Sequence, residues 1–182
     1  GAQPDADPVQ KVSIISRGHA GGYTLSVPTE DKTLHSFRHF IAELSTLLGG
    51  FASERLVFND VTTGPSNDLE RATQMARGIV TRYGMSELGP RTFGKKEELI
   101  FLGREMHEER NYSEKTAEAI DAEVSRFVKE AYDRARAILL EKRATLDSIA
   151  KTLLEKETIE KEEFESIVGI LPQPKVADAP IA

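Results

Sequence analysis

The sequence predicts a mainly α chain: a helical domain with a small N-terminal β-hairpin, which leaves an edge strand, and a C-terminal helical hairpin. Three observations carry this. From Leu34 to Val168, apolar residues recur mostly at three- and four-residue spacing, the pattern of helices that bury one stripe. Strict alternation of apolar and polar residues is confined to two short runs near the start. Gly and Pro gather at a few places, Gly18–Gly22, Gly49-Gly50, Gly64-Pro65 and Gly84–Gly94, which divide the helical runs. With 182 residues the chain can bury a substantial core. The expected organisation is one domain over 1–168, followed by a Pro- and Ala-rich tail, 169–182, read as disordered.

In order, Gly1 to Pro8 is a polar lead-in. Val12 and Ile14 alternate with Lys11 and Ser13, and Tyr23, Leu25 and Val27 alternate with Thr24 and Ser26, giving two strands joined through Gly18–Gly22. Such a pair leaves a free edge to which an extended peptide can add. The other reading is a hairpin that only covers the helical core. A helix is predicted from Leu34 to Leu48, with Leu34, Phe37, Phe40, Ile41, Leu44, Leu47 and Leu48 inward, bent at Gly49-Gly50 and continued over Phe51–Phe58. His35 and His39 stand four apart, the spacing that lets two imidazoles share a metal ion. The helical wheel turns both toward solvent and residue 36 is Ser, so no general base accompanies them; the pair is set aside as a decoy.

The central helix follows Gly64-Pro65. Ser66 or Asn67 is expected to cap it, Asn67 with Glu70 resembling a capping box, and Leu69, Ala72, Ala76, Ile79, Val80 and Tyr83 form its inward stripe. Asp68 falls in line with Ala72, Met75 and Ile79, so it leans toward the buried side. Two readings of that carboxylate stand at this point: an acid that offsets the helix macrodipole, or a metal ligand. Gly84–Gly94 reads as loop, with Phe93, Ile100, Phe101 and Leu102 as apolar anchors, and Glu105–Tyr112, including His107, as exposed. Ser113 caps the longest helix, whose stripe runs from Ala117 to Leu139. A second segment carries Leu146, Ile149, Ala150, Leu153 and Leu154, with Arg143-Ala144-Thr145 closing the hairpin; Thr158 is expected to cap a short helix bearing Phe164, Ile167 and Val168.

Composition narrows function. The formal charge of −6 argues against a nonspecific nucleic-acid binder. No apolar run is long enough to cross a bilayer. The chain has no cysteine, which excludes disulfides and thiolate metal sites.

Several motifs then fall in one order: Gly49-Gly50 with Glu54; Thr62-Thr63-Gly64-Pro65-Ser66-Asn67-Asp68-Leu69 with Ala72-Thr73; Tyr83-Gly84-Met85-Ser86 with Leu88-Gly89-Pro90; and Phe101-Leu102-Gly103-Arg104. Together they resemble the peptidase domain of the FtsH-type membrane-anchored AAA+ zinc proteases, over about Asp7 to about Val168. The resemblance implies that Asp68 is the third zinc ligand, that Glu54 orients a zinc-bound imidazole with Asn67 beside the ligand, and that Gly21, Gly22, Tyr23, Thr24 and Leu25 form the edge that holds an extended substrate. In that family two His and a Glu from a His-Glu-x-x-His helix complete the site, so that zinc activates a water and the Glu takes its proton. No such motif occurs in this sequence. The expectation is therefore a peptidase domain truncated at its N-terminus. Alone it is inactive, it binds Zn²⁺ at best weakly, and it reaches ATP and the membrane only through absent upstream modules. The resemblance further implies a homo-hexamer acting on membrane and unfolded polypeptides at the cytoplasmic side of a membrane. A bacterial inner membrane is expected, with an organellar membrane as the alternative. The reading from another class is a non-catalytic oligomerisation or substrate-binding module, pseudoprotease-like.

Overall fold

A computed structural model describes residues 7–16, 22–27, 34–94 and 111–170. The tail expected at 169–182 lies outside them beyond Ile170, as do Gly21, Ile100, Phe101, Leu102 and His107. The described elements are β1 (Val9–Ser13), β2 (Tyr23–Ser26), α1 (Phe37–Leu47), α2 (Gly49–Phe58), α3 (Ser66–Thr81), α4 (Glu114–Glu141), α5 (Arg143–Lys156), β3 (Thr158–Glu160) and α6 (Lys161–Val168). Mainly α with a small antiparallel sheet is what the spacing predicts. The chain divides into two compact units, Thr33–Glu141 and the two chain ends Gly1–Lys32 with Lys142–Ala182.

Among the described residues of the Thr33–Glu141 unit, α1, α3 and α4 surround one core and α2 packs on α4. Ser36 starts α1, its Oγ accepting the His39 N–H at 3.2 Å. Ser113 starts α4 in the same way, its Oγ accepting the Thr116 N–H at 3.3 Å. The 28-residue α4 packs on α1, α2 and α3. Its buried stripe of Ala117, Ile120, Val124, Phe127, Ala131 and Ala135 faces Phe40, Leu44, Leu48, Ala72, Ala76, Ile79 and Val80. Full burial of a side chain such as Ile79 stabilises by about 1.5–3 kcal/mol, and the small Ala72 and Ala76 let α3 approach its neighbours closely. Phe93 is buried, ties its N–H to the Thr81 carbonyl at 2.9 Å, and meets Tyr112 edge-on at 6.0 Å. Tyr112 is therefore part of this packing, not exposed as the polar sequence around it suggests.

Other expectations are corrected here. Leu34 precedes α1 and is 88% exposed, and Phe37 and Tyr83 are exposed as well, because the helix starts only at Phe37 and α3 ends before Tyr83. His35 lies outside the helix, whereas the His39 side chain is mostly buried, stacked on His35 at 4.9 Å and 3.6 Å from Glu43. The expectation that both imidazoles face water thus fails for His39. The bend between α1 and α2 is at Leu48, one residue before the glycine pair.

The unit of the chain ends is a three-stranded antiparallel sheet, order β2-β1-β3, backed by α5 and α6. Strand β3 is a correction. Thr158 is not a helix cap; it begins a strand that pairs Thr158 with Ser13 and Ile159 with Val12, and α6 starts at Lys161. Ile159 is fully buried among Leu153, Phe164 and the partly buried Val9, Val12, Ile149 and Ile167. Leu154, expected inward, is 79% exposed. Arg143, Ala144 and Thr145 are helical, the break falling at Lys142, and α5 finds its partners in β3 and α6.

Candidate functional site

The corner that carries Asp68 is built from the end of α2 outward. Asn59 stops α2 in the left-handed conformation (φ 53°), which turns the chain back along the helix. That return brings Thr62 to Glu54. Glu54 Oε2 accepts the Thr62 N–H at 2.8 Å, and Oε1 accepts the Thr62 hydroxyl at 2.9 Å. The Gly64 N–H in turn donates to Thr62 Oγ1 at 3.1 Å. A Cβ at residue 64 would stand 3.2 Å from Thr62 Oγ1 and 3.5 Å from Glu54 Oε1, so glycine suits this close approach. Pro65, buried, then enters α3, whose first turn is closed by the Ser66 N–H on the Thr63 carbonyl and the Leu69 N–H on the Pro65 carbonyl.

Asp68 sits in that first turn with its side chain 46% exposed, its oxygen 3.8 Å from Arg71. It is at the rim, not on the buried side: Met75, on the same line, is itself only partly buried. Nor do Ser66 and Asn67 cap the helix. Both lie inside α3, Pro65 is the residue at the cap position, and no side chain bonds there. Asn67 is exposed. An acid in the first turn still offsets the macrodipole, and a half-exposed carboxylate whose ion-pair partner among the described residues is 3.8 Å away keeps lone pairs for a cation. The oxygens of Glu54 go to Thr62 and not to Asp68 or Asn67. Thr62 is the residue that sequence reasoning left without a role.

The predicted substrate strand lies in the other unit. Gly22 and Tyr23–Leu25 are described, and β2 is an edge of the sheet, with Thr24, Leu25 and Ser26 exposed. A Cβ at Gly22 would come within 2.6 Å of the Ser13 carbonyl oxygen and 3.1 Å of the Ile14 Cα, both backbone. Only glycine lets β2 start this close to β1.

One further cluster shapes the loop after α3. Glu123 on α4 takes Arg126 through two bonds of 2.8 Å and accepts the Glu87 N–H at 3.2 Å. The bonds from Arg126 outweigh desolvation and hold the Glu123 carboxyl below the usual carboxylate range.

Residues 2–167 match Peptidase family M41. The chain belongs to that family. The M41 chain is 48% identical over 180 residues to the protein named ATP-dependent zinc metalloprotease FtsH 1 of Thermomicrobium roseum, covering 98% of this chain and 28% of the relative. It is 53% identical over 171 residues to ATP-dependent zinc metalloprotease FtsH of Chloroflexus aggregans, covering 92% and 26%. To the protein of that name in Thermotoga maritima it is 50% identical over 168 residues, covering 91% and 28%. The chain thus spans about a quarter of the length of these curated relatives. The FtsH-type likeness read from the motifs agrees with all three.

These relatives are named zinc metalloproteases. Asp68 has the chemistry of one zinc ligand, an available carboxylate. Among the described residues, no three His, Cys, Asp or Glu come together as a metal site, and the sequence holds no His-Glu-x-x-His. As a set, the described residues do not fit catalytic zinc. Among them, too, no helix is long and apolar enough to cross a membrane.

Proposed function

We propose that this chain is the peptidase-domain portion of an ATP-dependent zinc metalloendopeptidase that degrades membrane and unfolded polypeptides. The observation that carries this is the M41 match across residues 2–167, in which Ser66-Asn67-Asp68 opens α3 with a half-exposed carboxylate. In this reading Asp68 supplies one zinc ligand, and the remaining ligands and the general base belong to residues this sequence does not contain. Glu54 and Asn67 serve the same corner as neighbours of the ligand, Glu54 through the loop it binds. Gly21–Leu25 presents the edge to which an extended substrate adds. ATP, a homo-hexameric assembly and attachment to the cytoplasmic side of a bacterial membrane belong to the larger protein; nucleic acid is no partner.

By itself the chain hydrolyses no peptide, because one carboxylate does not hold catalytic zinc. The experiment compares zinc content and peptide hydrolysis for this chain and for its full-length parent protein. Stoichiometric zinc and activity in the parent alone support the reading. No zinc in either protein instead assigns the domain to assembly or substrate binding, and the enzyme reading falls.

A further inference from the structure

The sheet of the chain-end unit contains a rung that joins the proposed substrate edge to a residue far away in sequence. Ser13 closes β1. It pairs with Tyr23, the first residue of β2, on one side, and with Thr158, the first residue of β3, on the other. Ser13 is 3% exposed, and its hydroxyl is fully committed. Oγ donates to the Glu157 carbonyl at 3.2 Å, accepts the Ile15 N–H at 3.2 Å, and lies 2.9 Å from Thr158 Oγ1, 145 residues along the chain. A hydroxyl has one hydrogen and two lone pairs. The Ser13–Thr158 pair therefore uses either the Ser13 hydrogen or one of its lone pairs, and either hydroxyl can be the donor.

The rung is fixed from both flanks. Glu157 ends α5 in the left-handed conformation (φ 61°), its N–H on the Leu153 carbonyl at 2.7 Å and its carbonyl accepting the Ile14 N–H at 3.0 Å. On the other side, the Gly22 backbone approaches Ser13 so closely that a methyl group would stand 2.6 Å from the Ser13 oxygen. Any shift of the Ser13 carbonyl is therefore passed directly to the start of β2.

We propose that Ser13 and Thr158 are positioning residues for the peptide-binding edge: the Tyr23–Ser13–Thr158 rung lets the segment after α5 hold β2 in the register that accepts an extended peptide. This rests on the reading of β2 as the substrate edge. Neither residue touches the peptide. They act through the Ser13 backbone, and loosening them weakens binding without removing a contact to the ligand.

The test uses the full 182-residue chain with Thr158→Val, which keeps the shape and removes the hydroxyl, and Thr158→Ser, which restores it. Two quantities are measured: amide hydrogen exchange across the unit, and affinity for a fluorescein-labelled, reduced and carboxymethylated α-lactalbumin as an unfolded polypeptide. Thr158→Val is expected to speed exchange in Tyr23–Ser26 and to weaken the probe, each about five-fold, the scale of one lost hydrogen bond. Thr158→Ser is expected to reverse both. Faster exchange in β3 with β2 unchanged overturns the coupling. Equal acceleration through α5, α6 and all three strands marks ordinary destabilisation and also overturns it. If exchange in β2 responds but the unaltered chain has no affinity for the probe, the substrate-edge reading is what fails, and the positioning role falls with it.

Discussion

The two units reach stability by different routes. In Thr33–Glu141 the amphipathic helices α1, α3 and α4 share one core, with α2 packed on α4, and each of the three is defined by its own residues before it packs. In the chain-end unit a smaller cluster around Leu153, Ile159 and Phe164 is completed by strands from opposite ends of the sequence. One unit rests on local periodicity and volume. The other rests on pairings that a few backbone contacts decide. Candidate chemistry is divided in the same way, Asp68 on the helical unit and the substrate edge on the sheet.

Sharp differences should follow from this contrast. The largest concerns volume. Phe127, 1% exposed, lies in the helical core with Phe37 edge-on at 5.8 Å. Phe127→Ala is expected to cost about 3–5 kcal/mol in chemical denaturation. Ile159→Ala, in the smaller cluster, is expected to cost about 2–4 kcal/mol, seen as faster amide exchange in β1 and β3. A loss at Ile159 as large as that at Phe127 would erase the distinction.

Backbone approach comes next. Gly22→Ala places a methyl group against the Ser13 carbonyl and should cost about 1–3 kcal/mol by forcing β2 away from β1. Exchange of the β2 amides reads it directly. An unchanged rate would mean that the strands part without cost, and the sheet would then not be the close-set structure described here.

A smaller effect separates two roles for Glu54. Thr62→Val removes the hydroxyl that Glu54 holds at 2.9 Å and leaves the N–H bond at 2.8 Å. We expect about 1 kcal/mol of lost stability, together with faster exchange at the start of α3. No change in either would mean that the hydroxyl bond adds nothing to the hold of Glu54 on the loop.

The smallest prediction is one of pH. The Glu123 carboxyl is held low by Arg126, so its folded-state pKa lies below the unfolded one. Its contribution is complete above the ordinary carboxylate range and is lost as pH falls through the depressed value. Glu123→Gln should therefore flatten the acid limb of the stability profile and leave the slope near neutral pH unchanged. A steeper acid limb would reverse the sign of the argument.

How much was legible follows the same division. The stripes of α3 and α4 could be read directly, since each repeats over several turns and burial follows it from Ala72 to Val80 and from Ala117 to Ala135. The three residues of β3 carry no such repeat. Thr158 resembles a cap, and only pairing with Ser13, 145 residues away, makes it a strand. The exposure of Asp68 escaped helical arithmetic because a wheel gives a direction and does not record how far the packing reaches along it. His39 escaped for the opposite reason, a stacking partner just outside the helix turning a polar position inward. At the candidate site, motif order identified Asp68 and Glu54, while the bond from Glu54 to Thr62 depends on the left-handed turn at Asn59, which spacing does not reveal.

The most direct test of the central claim is the zinc content of the full-length protein with and without Asp68→Asn, measured at equal fold stability. We expect one zinc per chain in the unaltered protein. The variant should lose most of that metal and with it peptide hydrolysis, while the two proteins stripped of zinc should melt alike, because Asp68 is half-exposed and weakly paired. Full zinc occupancy in Asp68→Asn would contradict the assignment and leave this carboxylate as an ordinary first-turn acid.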